Sequence, residues 1–213
     1  MESSRLASYL ASRIFHDLIS PLTTMISAGD MAFDDSMGAA MQEQSAKLLM
    51  TGLAGLDARI QFMRFAIGTQ AISDDFVDFH LAKGLFDKLF AVQKSTLDWQ
   101  VKTLGLSNLQ MRVLMNMTFI LLEPAARSGV VKVSAVEDGA EMLMEVEATG
   151  SPGILKEDVI EGVAGREPAG GWDGKSIHPY FTRLLASEIG HTLDYRKIEG
   201  GVALSSRGPR KAA

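Results

Sequence analysis

The chain of 213 residues contains no cysteine. That excludes a disulfide framework, a thiol nucleophile and cysteine-ligated zinc, and it fits a reducing compartment such as the cytoplasm. Long hydrophobic runs are also missing. The opening "MESSRLASYLASRIF" has no uninterrupted apolar core of signal-peptide type, and the greasiest stretch, "VLMNMTFILLEPAA", is broken by Asn116 and Glu123. Clustered cations are scarce too: the net charge is -5, and nothing is denser than the terminal "RGPRK", expected to be merely solvated, so nucleic acid is not an expected partner. There is no internal repeat and no low-complexity tract. Hydrophobic residues make up 46% and charged residues 22%, close to the usual soluble balance, so a cytoplasmic protein with no membrane segment is expected.

What is present begins with helix periodicity. Residues 3–33 and 38–70 read as two long helices separated by the turn "DDSMG", an antiparallel hairpin. In the second, Ala46, Leu49, Leu53, Leu56, Ile60, Met63 and Ile67 are spaced 3, 4, 3, 4, 3, 4, the seam of a bundle. Two helices cannot cover such a stripe, whereas two hairpins can; a homodimer with a four-helix bundle is therefore expected.

From about residue 77 the pattern alternates. "LDWQV" reads as a strand, residues 108–129 as a helix, residues 130–150 as a β-hairpin turning at Asp138 and Gly139, residues 178–190 as a helix, and residues 191–207 as a terminal hairpin. Residues 162–175, rich in glycine, read as a mobile surface loop. The fold class is α+β: an N-terminal helical hairpin, residues 1–72, followed by an α/β sandwich, residues 73–213.

The chemistry lies in "SRIFHDLISPLTTM". Proline inside a helix removes a ladder hydrogen bond and costs about 3 kcal/mol, so a purely structural helix rarely carries one at Pro21; there it is expected to bend the helix and free the Asp17 carbonyl. At 100° per residue, Tyr9, Ser12, Arg13, His16, Ser20, Thr23 and Ser27 share one polar face, with Phe15 and Ile19 on its flank; Ala7, Ala11, Ile14, Leu18, Leu22, Met25 and Gly29 lie opposite and face the core. His16 then faces water or a partner. An exposed imidazole can offer a ring-nitrogen lone pair to phosphorus, and Asp17 can hold its tautomer and steady the charge that forms. Arg13 and Ser20, one turn either side, are placed to bind the phosphoryl group or a partner. The bland alternative is an ordinary surface histidine. His80, His178 and His191 have no metal-ligand spacing and read as surface or loop residues, Asn116 as a satisfied buried polar group, and Glu123 before Pro124 as a helix end. Most methionines read as core, with Met25, Met31 and Met41 able to soften a docking surface.

"HDLISP" resembles the phosphoacceptor box of two-component histidine kinases, and "SRIFHDLISPLTTMISAGDM", "LDARIQFMRFAIG" and "MRVLMNMTFILLEPAARSGVVKVSA" resemble the alphaproteobacterial histidine phosphotransferases of the ChpT type. The likeness runs from about residue 5 to 206. It implies a dimeric relay protein: a kinase-like hairpin bundle followed by a degenerate domain shaped like a histidine-kinase ATP-binding (Bergerat-type) domain. His16 is then the phosphoryl carrier, and Asp17 and Pro21 match the box, while Arg13 and Ser20 come from the helical wheel. The donor is the receiver domain of a hybrid histidine kinase and the acceptors are response-regulator receiver domains. By the same helical projection they are expected to dock on Tyr9, Ser12, Phe15, Ile19, Pro21 and Thr23. No cofactor is expected, because the magnesium ion belongs to the receiver.

The rival within the resemblance is an ATP-dependent sensor histidine kinase core. Such kinases carry two asparagines four residues apart on the helix after the first central strand; here Asn116 is followed by Ile120, which cannot ligate a hard cation. They also use an Asp-x-Gly to hold adenine, where this chain has Ala148 before Gly150. The two losses together amount to about 3–6 kcal/mol, or roughly a hundred- to ten-thousandfold in affinity. Gly170, Gly171 and Gly174 stay open as a phosphate loop but read as a flexible segment. The third alternative is a non-catalytic dimeric scaffold.

Overall fold

A computed structural model describes residues 1–68, 75–125, 128–150 and 155–211. Helices α1 (Ser3–Ala32) and α2 (Ala39–Ala66) open the chain. Asp34 shapes the turn between them, accepting from both the backbone N–H and the hydroxyl of Ser36 at 2.8 and 2.6 Å. The two run antiparallel. A Cβ on Gly52 would lie 2.6 Å from Cγ of Met25, and one on Gly29 would lie 3.9 Å from Leu49, so rising numbers on α1 meet falling numbers on α2. Helix α1 continues through Pro21 for three further turns. Residues 69 and 70, the last of the expected second helix, and the expected boundary between residues 72 and 73 lie outside the described residues.

The buried stripe of α1 is not quite the expected one. Met25 is buried as foreseen, but Asp17 and Ala28 are buried with it, while Leu22 is 45% exposed and Ala7 is open to solvent. The seam of α2 is only half covered: Met63 is buried, Leu49, Leu56 and Ile67 are half-buried, and Ala46, Leu53 and Ile60 are exposed. Phe62, Phe65 and Ala66, with Met63, join the hydrophobic core of the second half of the chain.

The remaining elements are α3 (Phe79–Ala91), β1 (Thr96–Val101), α4 (Asn108–Ala125), β2 (Val130–Asp138), β3 (Glu141–Thr149), α5 (Glu157–Ala164), α6 (Gly174–Glu188), β4 (Asp194–Ile198) and β5 (Gly201–Pro209). They build a five-stranded sheet in the order β1-β2-β3-β5-β4. β1 and β2 are parallel and joined through α4; the other neighbours are antiparallel. Period-two alternation sends Val131, Val133, Ala135, Met142, Met144, Val146 and Ala148 into the core. The opposite face carries cross-strand ion pairs, Lys132 with Glu147 at 3.2 Å and Arg196 with Glu145. Helix α4 lies between the sheet, α6 and α2, which is why apolar residues occupy its whole circumference.

Two helices were not anticipated. In α3 the buried positions Ala82, Leu85, Phe86, Leu89 and Phe90 repeat at helical spacing, and Asp78 caps the start by accepting from Leu81 N–H at 3.0 Å. Helix α5 takes three residues of the expected glycine loop and ends at Gly165, whose φ of 77° needs the freedom of glycine. The terminal "RGPRK" is not simply solvated: β5 runs to Pro209, and Arg207 and Arg210 pair with Glu141 and Glu137.

Candidate phosphoacceptor site

His16 and Asp17 are neighbours in sequence but point apart by one helical step. The His16 side chain is 77% exposed, while that of Asp17 is 7% exposed, turned toward the rest of the protein. The two carboxylate oxygens of Asp17 divide their work. Oδ2 lies 2.9 Å from Arg13 Nε, one turn earlier, in an ion pair whose N–H does not line up as a good hydrogen bond. Oδ1 lies 3.4 Å from Nδ1 of His16, a long contact that leaves Nε2 directed outward. A carboxylate can only accept, so the contact favours the tautomer with the proton on Nδ1 and a lone pair on Nε2.

Arg13 is therefore not a free cation on the docking face. It is half-buried against the start of α6, where the absence of a side chain at Gly174 makes room; a Cβ there would sit 3.4 Å from Cδ of Arg13. Ser12, Phe15, Ile19, Ser20 and Thr23 are exposed as expected, and Tyr9 is half-buried. Phe15 and Ile19, 60% and 57% exposed, edge an open groove of about 670 Å³ with Ser8, Ala11, Ser12, His16 and Ser20. Pro21 faces the other way, lining a cleft of about 480 Å³ between α1 and α2 with Leu48, Thr51, Gly52 and Gly55. His16 borders both, and also a third cleft of about 320 Å³ at the junction of the hairpin with the second half of the chain, bounded by Arg59, Gln93, Phe119, Glu123 and Lys175. Arg59, Gln93 and Lys175 were missed. They lie 43 or more residues beyond His16 in sequence, and no local pattern ties them to it.

Away from this centre, Asn116 is wholly buried and fully bonded. Its Nδ2 donates to the carbonyls of Ala66 at 2.8 Å and Arg112 at 2.7 Å, and its Oδ1 meets Nε2 of His178 at 2.7 Å. Arg112 adds bonds from Nε to Ala66 O at 3.4 Å and from Nη2 to Ile67 O at 3.3 Å. These close the C-terminus of α2, whose last carbonyls lack helical partners. His178 and His191 are thus not surface residues: each is 4% exposed, His178 because α6 packs on α4 and His191 because it bonds Gln110 and the carbonyl of Pro209 under β5. Burial, and then the nearby Arg13 charge, push His178 down to about 3, so its ring is neutral. Burial likewise lowers His191.

The positions compared with a kinase nucleotide site are apolar or occupied. Ile120 is 7% exposed, Ala148 is 3% exposed, and Asn116 has no atom left for a metal. In the glycine-bearing segment, the Asp173 carboxylate accepts from the backbone N–H of Lys175 and Ser176, both at 2.9 Å, which puts a negative group where a phosphate would need to bind. Among the described residues no group of three or more histidine, aspartate or glutamate side chains is arranged to hold a metal ion, and no helix is long and apolar enough to cross a membrane.

Comparison with known proteins agrees with this architecture. The protein phosphotransferase ChpT of Brucella abortus (strain 2308) is 26% identical over 201 residues, 94% of each chain. The structure of a bacterial phosphotransferase superposes with a TM-score of 0.83 at 24% identity, covering 97% of both chains. The catalytic domain of the histidine kinase ThkA superposes at 0.50 with 17% identity, covering 62% of this chain and 90% of that domain, which shows a shared fold. The family model described as the histidine phosphotransferase C-terminal domain matches residues 79–201, more than half of the sequence. The chain belongs to the histidine phosphotransferase family, built on a histidine-kinase-like fold.

Proposed function

We propose that the protein is the histidine phosphotransferase of a two-component phosphorelay, and that His16 carries the phosphoryl group. The observation that supports this most directly is the pairing of an exposed imidazole with a buried carboxylate behind its Nδ1. A receiver domain presents an acyl phosphate on its aspartate, together with its own magnesium ion. Nε2 of His16 attacks phosphorus, the P–O bond to the aspartate breaks, and the electron pair leaves on the receiver carboxylate. The Nδ1 proton stays in place, and the positive charge on the phosphorylated ring is balanced by Asp17. The same steps in reverse order deliver the group to the aspartate of a response regulator. Both species are high in energy, so transfer runs either way.

Docking uses the face from Tyr9 to Thr23, with Phe15 and Ile19 as the apolar anchor and Ser12 and Ser20 in the polar rim. Two different partners must share this surface in turn, so the interface is of standard size or smaller. The uncovered seam of α2, with Leu53 47% and Ile60 42% exposed, supports a homodimer in which two hairpins form a four-helix bundle. In this reading residues 1–72 carry dimerisation and transfer, residues 73–213 help select the partner, and the protein works in the cytoplasm. Radiolabel transfer tests it. A phosphorylated receiver domain is expected to label the wild type and not His16→Ala, whereas labelling by ATP and magnesium alone would replace this reading with that of an autokinase. A protein labelled by neither donor would be a scaffold.

A further inference from the structure

We propose that Arg59 and Lys175 form a two-point clamp for the phosphoryl group on His16, one cation from the hairpin and one from the second half of the chain. The inference rests on His16 being the phosphoryl carrier and adds the residues that bind the group.

Both side chains border the third cleft described above together with His16 and Asp17, and Arg59 also borders the cleft between α1 and α2. Neither has an acidic partner among the ion pairs of the described residues, whereas Arg13, Arg166, Arg196, Arg207 and Arg210 each have one. The sequence explains why. On α2 the positions three and four residues from Arg59 are Gly55, Leu56, Phe62 and Met63, so no helical neighbour neutralises it. Its guanidinium instead lies over the ring of Phe119, 5.6 Å from the centroid, a contact that does not neutralise the charge. Lys175 stands in the first turn of α6, where the helix dipole disfavours a cation. The Asp173 cap already occupies the helix end itself, so what Lys175 offers a dianion is its exposed side-chain ammonium and not the backbone of α6.

Asp173, whose carboxyl is lowered, despite partial burial, by hydrogen bonds from Ser176 and in part by the Lys175 charge, is held as the α6 cap and does not line the cleft, and the acids that do line it have partners. Asp17 is engaged by Arg13, and Glu123 is shared with Lys156 at 3.3 Å. A phosphoryl group carries three strong acceptor oxygens, so guanidinium and ammonium donors on two sides would hold it for in-line transfer without any change in their own protonation.

The test uses phosphoramidate, a small donor that needs no docking surface, and follows phosphohistidine by ³¹P NMR. Arg59→Ala and Lys175→Ala are each expected to slow labelling of His16 by about ten- to a hundredfold, the loss of one charge-assisted contact. Arg59→Lys is expected to recover most of the rate, which a purely packing role for Arg59 does not predict. Arg5→Ala, remote on α1, serves as the control at wild-type rate. Should Arg59→Ala lose its cooperative thermal transition, the exposed Lys175 decides alone. Wild-type rates in Arg59→Ala and Lys175→Ala would overturn the clamp while leaving His16 as carrier. A wild type labelled elsewhere than His16 would overturn both.

Discussion

Asn116 and His178 meet inside the protein, amide oxygen to imidazole Nε2 at 2.7 Å, and through this contact α4 is fastened to both α6 and the end of α2. Because the amide nitrogen of Asn116 already serves two carbonyls, its oxygen must face His178, and Nε2 must carry the hydrogen. Asn116→Ala would leave the Ala66 carbonyl with only the long Arg112 contact and the His178 N–H unpaired. A loss of about 2–4 kcal/mol is expected in denaturant unfolding, with the slope of the transition unchanged.

Acid should weaken the fold through the same histidine. His178 is held near 3 in the folded protein and returns to about 6.5 when unfolded, so the unfolded chain binds the extra proton. Its neutral form contributes fully above pH 6.5. Below that, stability falls by about 1.4 kcal/mol per pH unit until the folded value is reached. Urea midpoints measured between pH 7.5 and 5 should show at least this slope, and His178→Gln should reduce it, leaving the part that His191, lowered by its own burial, contributes.

Asp17→Asn keeps the shape of the site and removes its charge. Transfer to His16 is expected to slow by roughly tenfold or more, since an amide can as well donate to Nδ1 and favour the wrong tautomer. His16→Ala, at an exposed position, should abolish labelling while shifting stability by no more than about 0.5 kcal/mol. Together they separate chemistry from folding.

The close approach of the two hairpin helices depends on Gly52. A Cβ there would lie 2.6 Å from Cγ of the buried Met25, so even Gly52→Ala must shift that side chain, and the branched Gly52→Val should push α1 from α2 at a larger cost of about 1–3 kcal/mol. Thermal melting of the two variants side by side checks the difference.

If the half-open seam is the dimer contact, paired acidic substitutions Leu53→Glu and Ile60→Glu should yield a monomer in sedimentation at micromolar concentration. The same variant should retain the circular dichroism of the wild type, because both positions lie outside the enclosed core. An unchanged dimer would place the contact elsewhere.

Much of this protein was legible in its residues. Period-3.6 patterning marks the two long helices, period-two patterning and the Asp138–Gly139 turn mark the β2–β3 hairpin, and the short box around His16 carries the proposed acceptor, its carboxylate and its proline, because these signals act within a turn or two of chain. Tertiary structure alone decided the rest. Asp17 belongs with the buried residues because the second half of the chain folds against α1. His178 and His191 become interior because α6 and β5 close over them, and Arg59 and Lys175 come to border one cleft with His16 because α2 and α6 both pack on α1 and α4. Such contacts join residues from 18 to 159 positions apart; their partners depend on how whole elements pack, and no spacing within a single helix or strand encodes them.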